Sequence, residues 1–221
     1  MKDFPIFPTE HGVASLTLRE IPYRKTAYIH VQDVQPGKMA ELLEECTGFC
    51  RACGAEEVLA GGAGAFDAWP FCTGVMEMNL CRTEAEDPTA CLWPVTEENV
   101  GTFRAIYNEG MAGVDLAATL PRQREAEILE SCGAYFVHRD GKLLGIGWIS
   151  GEELKAIVSV IPGMGQTVLQ TLLSASCSER IRLEVASTNM RAIRLYERMG
   201  FLKTRELMRW HRVWPSDSTN K

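Results

Sequence analysis

The sequence lacks long apolar runs and any concentration of positive charge. No stretch of its 221 residues approaches the ~20 apolar residues that span a bilayer, and its start lacks the basic and then apolar layout of a secretory signal. Acidic residues outnumber Lys and Arg by 29 to 23, which leaves a formal net charge of −6. A nucleic-acid or anionic-membrane surface needs clustered cations. We therefore expect a cytoplasmic protein without nucleic-acid or membrane partners.

The remaining composition is that of an ordinary globular protein. Hydrophobic residues make up 46% and charged residues 24% of the chain, which provides enough apolar material for a core. A chain of this length forms either one large domain or one full domain with a smaller partner. The alternation of strand and helix patterns described below predicts a mixed α/β protein.

Eight cysteines occur in a sequence with no export signal, which indicates reduced thiols rather than a disulfide framework. Cys46, Cys50 and Cys53 have helical spacing with the apolar residues around them. Because a free cysteine behaves as a small buried hydrophobe, we expect all three on the buried face of a helix. A metal or redox site is the alternative reading, and we predict no bound metal.

An acidic, proline-containing stretch from Arg82 to Thr89 predicts a domain boundary, which we place between residues 84 and 85. Residues 1–84 show the order strand, strand, helix, strand, irregular segment, strand. Residues 85–221 begin with a strand and two helices, and Asp140-Gly141 marks a tight hairpin turn in the strands that follow. After the third of these strands, Gly163 and Gly165 lead into a helix, whose free N–H groups form a potential anion site.

The next segment is a complete strand, helix and stop. Ile181 to Ala186 reads as a strand, Ser187 to Asn189 are capping residues, and a helix with one apolar face ends at Gly200. This segment resembles the pattern N-x-x-A-x-x-L-Y-x-x-x-G-F of the GNAT superfamily of N-acetyltransferases. The matching residues are Asn189, Ala192, Leu195, Tyr196, Gly200 and Phe201. The element order from about Cys91 onward is also similar to that family, so the resemblance implies a GNAT acyl-CoA N-acyltransferase fold.

The resemblance also implies an activity, which is transfer of an acetyl group from acetyl-CoA to a primary amine by direct attack. The implied pyrophosphate ligands are backbone amides, those of Gly163, Met164, Gly165, Gln166 and Thr167. Val158 and Val160 would pair with the pantetheine arm, and the Val160 amide would polarise the thioester carbonyl. Asn189 would bind the same arm, Tyr196 would donate a proton to the departing thiolate, and Glu153 would be the general base.

The phosphate loop departs from the family pattern V-x-P-x-x-R/Q-x-x-G-x-G/A. Here Val160-Ile161-Pro162 runs directly into Gly163-Met164-Gly165, so the loop is short and has no arginine. This departure keeps open an alternative function, a non-catalytic acyl-CoA-binding or regulatory protein. A dinucleotide-binding loop is a third reading, but no third glycine follows at the fingerprint spacing.

The amino-terminal half is similar to the second half of a GNAT domain that has lost its phosphate loop. Residues 32–43, QDVQPGKMAELL, stand where the loop and its helix would be. We expect this truncated GNAT-like half to shape the acceptor pocket or an interface, and a homodimer remains open.

Overall fold

A computed structural model describes residues 5–82 and 88–215. Its elements follow in this order: β1 (Ile6–Pro8), β2 (Gly12–Thr17), α1 (Ile21–Arg24), β3 (Thr26–Val34), α2 (Met39–Ala52), β4 (Glu57–Gly62), β5 (Phe71–Cys81), β6 (Cys91–Pro94), α3 (Val100–Met111), a short 3-10 helix (Arg122–Arg124), α4 (Glu125–Glu130), β7 (Ala134–Arg139), β8 (Lys142–Ser150), β9 (Glu153–Ser159), α5 (Gly165–Leu173), β10 (Arg180–Ala186), α6 (Met190–Arg198) and β11 (Leu202–Trp214). Among these helices, none is long and apolar enough to cross a membrane.

The chain forms two compact units. The first comprises the described parts of residues 1–74 and 207–221, and the second comprises those of residues 75–206. Strands β5 and β11 therefore each contribute residues to both units. The predicted boundary at residues 84 and 85 lies within 83–87, outside the described residues, and it stays a prediction.

The first unit contains strands in the order β1-β2-β3-β4-β11. Strands β3 and β4 are parallel and joined by α2, whereas the other neighbours in this unit are antiparallel. Helix α2 buries Leu42, Leu43, Cys46 and Cys50 in the core of the unit. The predicted burial of Cys46 and Cys50 is confirmed, but that of Cys53 is wrong: Cys53 follows the last helical residue and is exposed.

The second unit contains strands in the order β5-β10-β9-β8-β7-β6. Helices α3 and α4 pack with one face of β8 and β9, where they bury Phe103, Ile128, Ile146 and others in one core cluster. Helices α5 and α6 bury a second cluster against β10 that includes Leu169. From β6 onward the element order agrees with the sequence prediction.

Strands β9 and β10 are parallel neighbours that pair with each other only at one end. Their register contains a single pair, Arg182 with Glu153, beside a hydrogen bond from the Arg182 amide to the Glu152 carbonyl. Beyond this pair, toward Ser159 and Ala186, the described strands do not pair with each other. The sheet of the second unit is therefore open between the carboxyl ends of β9 and β10.

Local signals in the sequence set several element ends. Asp140 and Gly141 both have positive φ, 52° and 72°, as a tight hairpin turn between β7 and β8 requires. Helix α3 begins at Val100 after Asn99, although Thr96, followed by Glu97 and Glu98, has the sequence pattern of a helix N-cap. The Thr96 amide instead donates to the Asn99 side chain over 2.8 Å, which ties the preceding turn to the helix start.

Candidate active site

A cavity of about 340 Å³ lies where β9 and β10 diverge. Its walls come from the carboxyl ends of α3 and β9, the loop and first turn of α5, and helix α6. Helix α3 approaches β9 very closely at this point, since a Cβ added to Gly110 would lie 2.3 Å from a methyl group of Val158. A cleft of this size between two strands can hold an extended, narrow ligand.

The backbone of β9 alternates between its neighbour β8 and the cavity. The Val160 amide donates to the Leu144 carbonyl over 3.0 Å, and Val158 is opposite Ile146 in the same register. In an antiparallel pair, every second residue directs its backbone N–H and C=O groups at the partner strand, and the residues between them direct these groups away from it. Ile157 and Ser159 therefore direct their backbone groups away from β8, and both residues line the cavity.

This parity corrects two predicted contacts. The Val160 amide is occupied by Leu144, so it is not free to polarise a carbonyl in the cavity. Val158 contributes its side chain to the lining rather than its backbone groups, which face β8. The sequence pattern V-x-P suggested that Val158 and Val160 turn their backbone groups to the cavity. This was wrong, because the pattern does not show which amides hydrogen-bond to β8.

The amino-terminal end of α5 opens into the cavity through Gly163, Gly165 and Gln166. The Val168 amide donates to the Met164 carbonyl, so the amides of Gly165, Gln166 and Thr167 precede the first helical hydrogen bond and have no backbone acceptor in the described chain. Gly163 has φ of 86°, a conformation that favours glycine.

Two of the predicted pyrophosphate ligands lie away from this opening. The Met164 amide donates to the Ile161 carbonyl over 3.2 Å, and the Met164 side chain packs beside a core cluster that contains Leu144. Neither Met164 nor Thr167 lines the cavity. Gly163, Gly165 and Gln166 therefore line the cavity, whereas Met164 packs beside the core cluster that contains Leu144.

Tyr196 lies on α6 with only 8% of its surface exposed, and it lines the cavity. Burial raises the pKa of its hydroxyl well above the usual value, so the hydroxyl is protonated at neutral pH. This hydroxyl has no hydrogen-bond partner among the described residues. Its oxygen nevertheless keeps some exposed surface. This cavity-lining residue therefore carries a protonated hydroxyl without a protein acceptor among the described residues.

Asn189 precedes α6 and also lines the cavity. Its side-chain oxygen accepts a hydrogen bond from the Ala192 amide over 3.2 Å, which is the N-cap contact that the sequence predicts. The side-chain nitrogen of Asn189 has no hydrogen-bond acceptor among the described residues. At the other end of α6, the Phe201 amide donates to the Tyr196 carbonyl and the Gly200 amide to the Glu197 carbonyl, which makes a Schellman end.

Two arginines of α6 also line the cavity, and sequence reasoning missed both. Arg191, Leu195 and Arg198 follow one another at spacings of four and three residues, so they occupy one face of the helix. This face could have been found by extending the helical spacing from the recognised Leu195 in both directions. No acidic residue lines the described cavity, so its charged side chains are both positive.

Glu153, the predicted general base, lies far from the cavity. It is the first residue of β9 and pairs with Arg182 where β9 and β10 are still together. Glu153 is four positions before Ile157, the first cavity-lining residue of β9, which corresponds to roughly 13 Å of strand at ~3.3 Å per residue. Because β9 carries its cavity residues at the opposite end, we do not retain Glu153 as the base.

One group of three potential metal ligands occurs among the described residues, in the first unit. The Nε2 atom of His11 lies 3.6 Å from a carboxylate oxygen of Glu10 and 3.4 Å from one of Glu45. His11 is partly buried and both glutamates are exposed, and exposed acidic groups often meet in this way without a metal. All cavity-lining residues belong to the second unit.

Comparison with known proteins agrees with this geometry. A model of the Acetyltransferase (GNAT) family matches residues 163–201, the segment from the α5 loop to the end of α6. Among curated proteins, none matches this sequence.

Solved structures share the fold at low sequence identity. A functionally unknown conserved protein from Staphylococcus epidermidis is similar with a TM-score of 0.60 and 10% identity, over 96% of this chain and 94% of its own. A GCN5-related N-acetyltransferase from Sphaerobacter thermophilus has a TM-score of 0.54 and 13% identity, over 92% and 77%. An acetyltransferase of the GNAT family from Colwellia psychrerythraea has a TM-score of 0.51 and 13% identity, over 93% and 84%. The chain therefore shares the mixed α/β fold of these GNAT structures, and the segment that matches the GNAT family model forms one wall of the cavity.

Proposed function

We propose that this protein is an N-acetyltransferase that moves an acetyl group from acetyl-CoA to a primary amine. The observation that carries this proposal is the opening between β9 and β10, with backbone groups of Ile157 and Ser159 on one side and Tyr196 on the other. An extended thioester substrate lying in this opening has hydrogen-bond partners along one edge and a proton donor across from it.

The pantetheine arm of acetyl-CoA fits the role of a missing strand. Its amide groups can pair with the free backbone groups of Ile157 and Ser159, as an added strand pairs with a sheet edge. Asn189 lines the same cavity from the start of α6. We assign the Ser159 amide to the thioester carbonyl, since an oriented N–H at a developing oxyanion contributes ~10²–10³ in rate where it has been removed from other enzymes.

The reaction we propose is direct attack of the amine nitrogen on the thioester carbonyl carbon. The new C–N bond forms, the C–S bond breaks, and the Tyr196 hydroxyl gives its proton to the departing sulfur. The raised pKa of Tyr196 keeps that proton in place at neutral pH until the thiolate forms. The amine nitrogen loses its surplus proton to water, and water returns a proton to the Tyr196 oxygen. We assign no side chain to these two transfers.

Titration calorimetry with acetyl-CoA, followed by a thiol-release assay over a panel of primary amines, tests the proposal. We expect binding at micromolar to sub-millimolar concentration and thiol release that depends on the amine. No heat of binding up to millimolar acetyl-CoA would contradict the proposal. Tight binding without thiol release for any amine would favour the non-catalytic acyl-CoA-binding protein, which the short phosphate loop suggests.

The Tyr196→Phe variant completes this experiment, since it removes the proton donor and keeps the ring that packs on Phe201 with centroids 5.7 Å apart. We expect kcat to fall roughly 10- to 100-fold, less than many acid catalysts contribute, because a thiol leaving group with a pKa near ~8.5 needs little help. Binding of acetyl-CoA should hardly change. Unaltered turnover in this variant would show that Tyr196 only packs.

For the first unit we keep the proposal of a truncated GNAT-like arrangement. Its β3-α2-β4 segment repeats the strand, helix and parallel strand of β9-α5-β10. In contrast to β9 and β10, however, β3 and β4 remain paired from Thr26 and Glu57 to Val31 and Gly62. This unit therefore has the order of elements without the opening, which supports a role in shaping or assembly rather than in chemistry.

A further inference from the structure

We infer that Arg191 and Arg198 of α6 bind the diphosphate of acyl-CoA and supply the positive charge that the short phosphate loop lacks. This inference rests on the proposed function, because it names the residues that would hold part of that substrate. It concerns the end of the cavity beside α5, whereas the chemistry is assigned to Tyr196 and Ser159.

The face of α6 that carries these arginines lies against the start of α5. A Cβ added to Gly165 would lie 3.3 Å from a methyl group of Leu195, so the first turn of α5 almost touches the middle of that face. Arg191 is one turn before Leu195 and Arg198 about one turn after it, and both line the cavity together with Gly165 and Gln166. The two arginines therefore line the same cavity as the amino-terminal end of α5.

Both arginines are available for an anionic ligand. They are exposed, and neither forms an ion pair or hydrogen bond with another described residue. The nearby Glu197 of the same helix is paired with Lys203 at 2.9 Å. Guanidinium groups suit phosphate because they donate two parallel hydrogen bonds to its oxygens.

A second observation marks this cavity as a ligand site independently of the arginines. Tyr196 lines the cavity and is more than nine-tenths buried, and its hydroxyl has no hydrogen-bond partner among the described residues. A buried hydroxyl is usually hydrogen-bonded, so an acceptor is missing that a ligand can provide. The loop from Val160 to Met164 contains no cation, and Arg139 of β7 contacts the Met164 side chain, which does not line the cavity. The charged side chains that line the described cavity are therefore those of Arg191 and Arg198.

The matched control lies on the same helix. Arg194 is also exposed, is the same residue type and does not line the cavity. Arg194→Gln therefore makes the same change in net charge and in helix composition as Arg191→Gln or Arg198→Gln. A thermal melt of each variant checks that the fold is unchanged.

Calorimetry with CoA, dephospho-CoA and acetyl-pantetheine tests the inference. We expect each of Arg191→Gln and Arg198→Gln to weaken CoA binding about 3- to 10-fold, and the double variant more, since an exposed charged hydrogen bond has a modest net strength. Dephospho-CoA, which retains the diphosphate, should show the same loss. Acetyl-pantetheine, which has no phosphate, should bind all variants equally, and Arg194→Gln should match the wild type with every ligand.

Two results would overturn the inference. If CoA binds the wild type and the double variant equally, the arginines do not contact the ligand. If the loss is seen with CoA but not with dephospho-CoA, they contact the 3′-phosphate and the diphosphate assignment is wrong. Failure of CoA to bind the wild type is a different outcome, because it rejects the proposed function itself.

Discussion

Two cysteines show how strongly a buried environment changes a single side chain. Cys46 and Cys50 lie in the core of the first unit with no exposed surface. Burial raises the pKa of the Cys46 thiol to about 11 and that of Cys50 to about 12, from an ordinary value of 9.0. These thiols are neutral core residues, which is what the helical spacing of the sequence predicts.

The raised pKa values predict a loss of stability in alkali. Above pH 9.0 the unfolded chain loses these two protons while the folded chain keeps them up to about pH 11, so the free energy of unfolding falls as pH rises. The slope should approach about 1.4 kcal/mol per pH unit for each thiol. Urea unfolding at a series of pH values between 7 and 11 measures it.

A double variant, Cys46→Ala with Cys50→Ala, should be less stable at pH 7 because it leaves cavities, but its stability should depend less on pH above 9. Cys53→Ala is the control, since Cys53 is exposed and should leave the slope unchanged. Equal slopes in the double variant and the wild type would show that these thiols ionise freely in the folded protein.

Single residues of the site differ in how far the sequence predicts them. Asn189 and Tyr196 could be named because both belong to the short GNAT-like motif of one continuous segment, and both line the cavity. Ile157 and Ser159 could not, because the direction of a backbone amide depends on the register with β8. Glu153 was misplaced for a related reason: closeness along a strand does not bring a residue to the end where the strands diverge.

At the scale of elements, close packing of β8 depends on glycine. A Cβ added to Gly145 would lie 2.2 Å from the Val158 carbonyl oxygen, which is main chain and cannot move aside like a flexible side chain. Val158 is a wall of the cavity, so this contact also fixes the end of β9. The packing of β8 and the shape of the site are therefore linked.

We expect Gly145→Ala to destabilise the protein by about 2 kcal/mol or more, since overpacking a rigid contact displaces backbone. Gly101→Ala is the matched control. Gly101 lies in α3 with nothing within 4 Å of an added Cβ, so that change should stabilise by roughly 0.5–1 kcal/mol through helix propensity. Urea unfolding of the two variants compares them directly, and equal effects would contradict the packing argument.

Most helices and strands could be predicted from the sequence, but the residues at which they begin and end could be predicted less well. Strand β3 spans Thr26–Val34, which are the bounds that its strand pattern indicates, because its apolar residues are bracketed by turn residues. The strand pattern of the sequence also extends from Ala14 to Pro22, but β2 ends at Thr17, and α1 begins at Ile21 with Pro22 in its first turn. The divergence of β9 and β10 has no signature in either strand alone, since it is a property of their pairing.

At the scale of the whole molecule, ligand binding should affect the two units unequally. A ligand that binds only the folded state slows local opening where it binds. With saturating acetyl-CoA, we expect slower amide exchange at short times in peptides from residues 157–198. Peptides from residues 5–74 should be unchanged. Hydrogen exchange read by mass spectrometry measures this, and protection confined to the first unit would contradict the site assignment.

The unpaired backbone of Ile157 and Ser159 has an evolutionary consequence. A ligand recognised through main-chain N–H and C=O groups meets the same atoms whichever side chain the gene encodes at those positions, with proline as the exception because it has no N–H. Such a site tolerates amino-acid substitutions that would abolish binding in a site built from side chains. The residues closest to the proposed substrate can thus be among the freest to change, provided that the two strands still part at the same place.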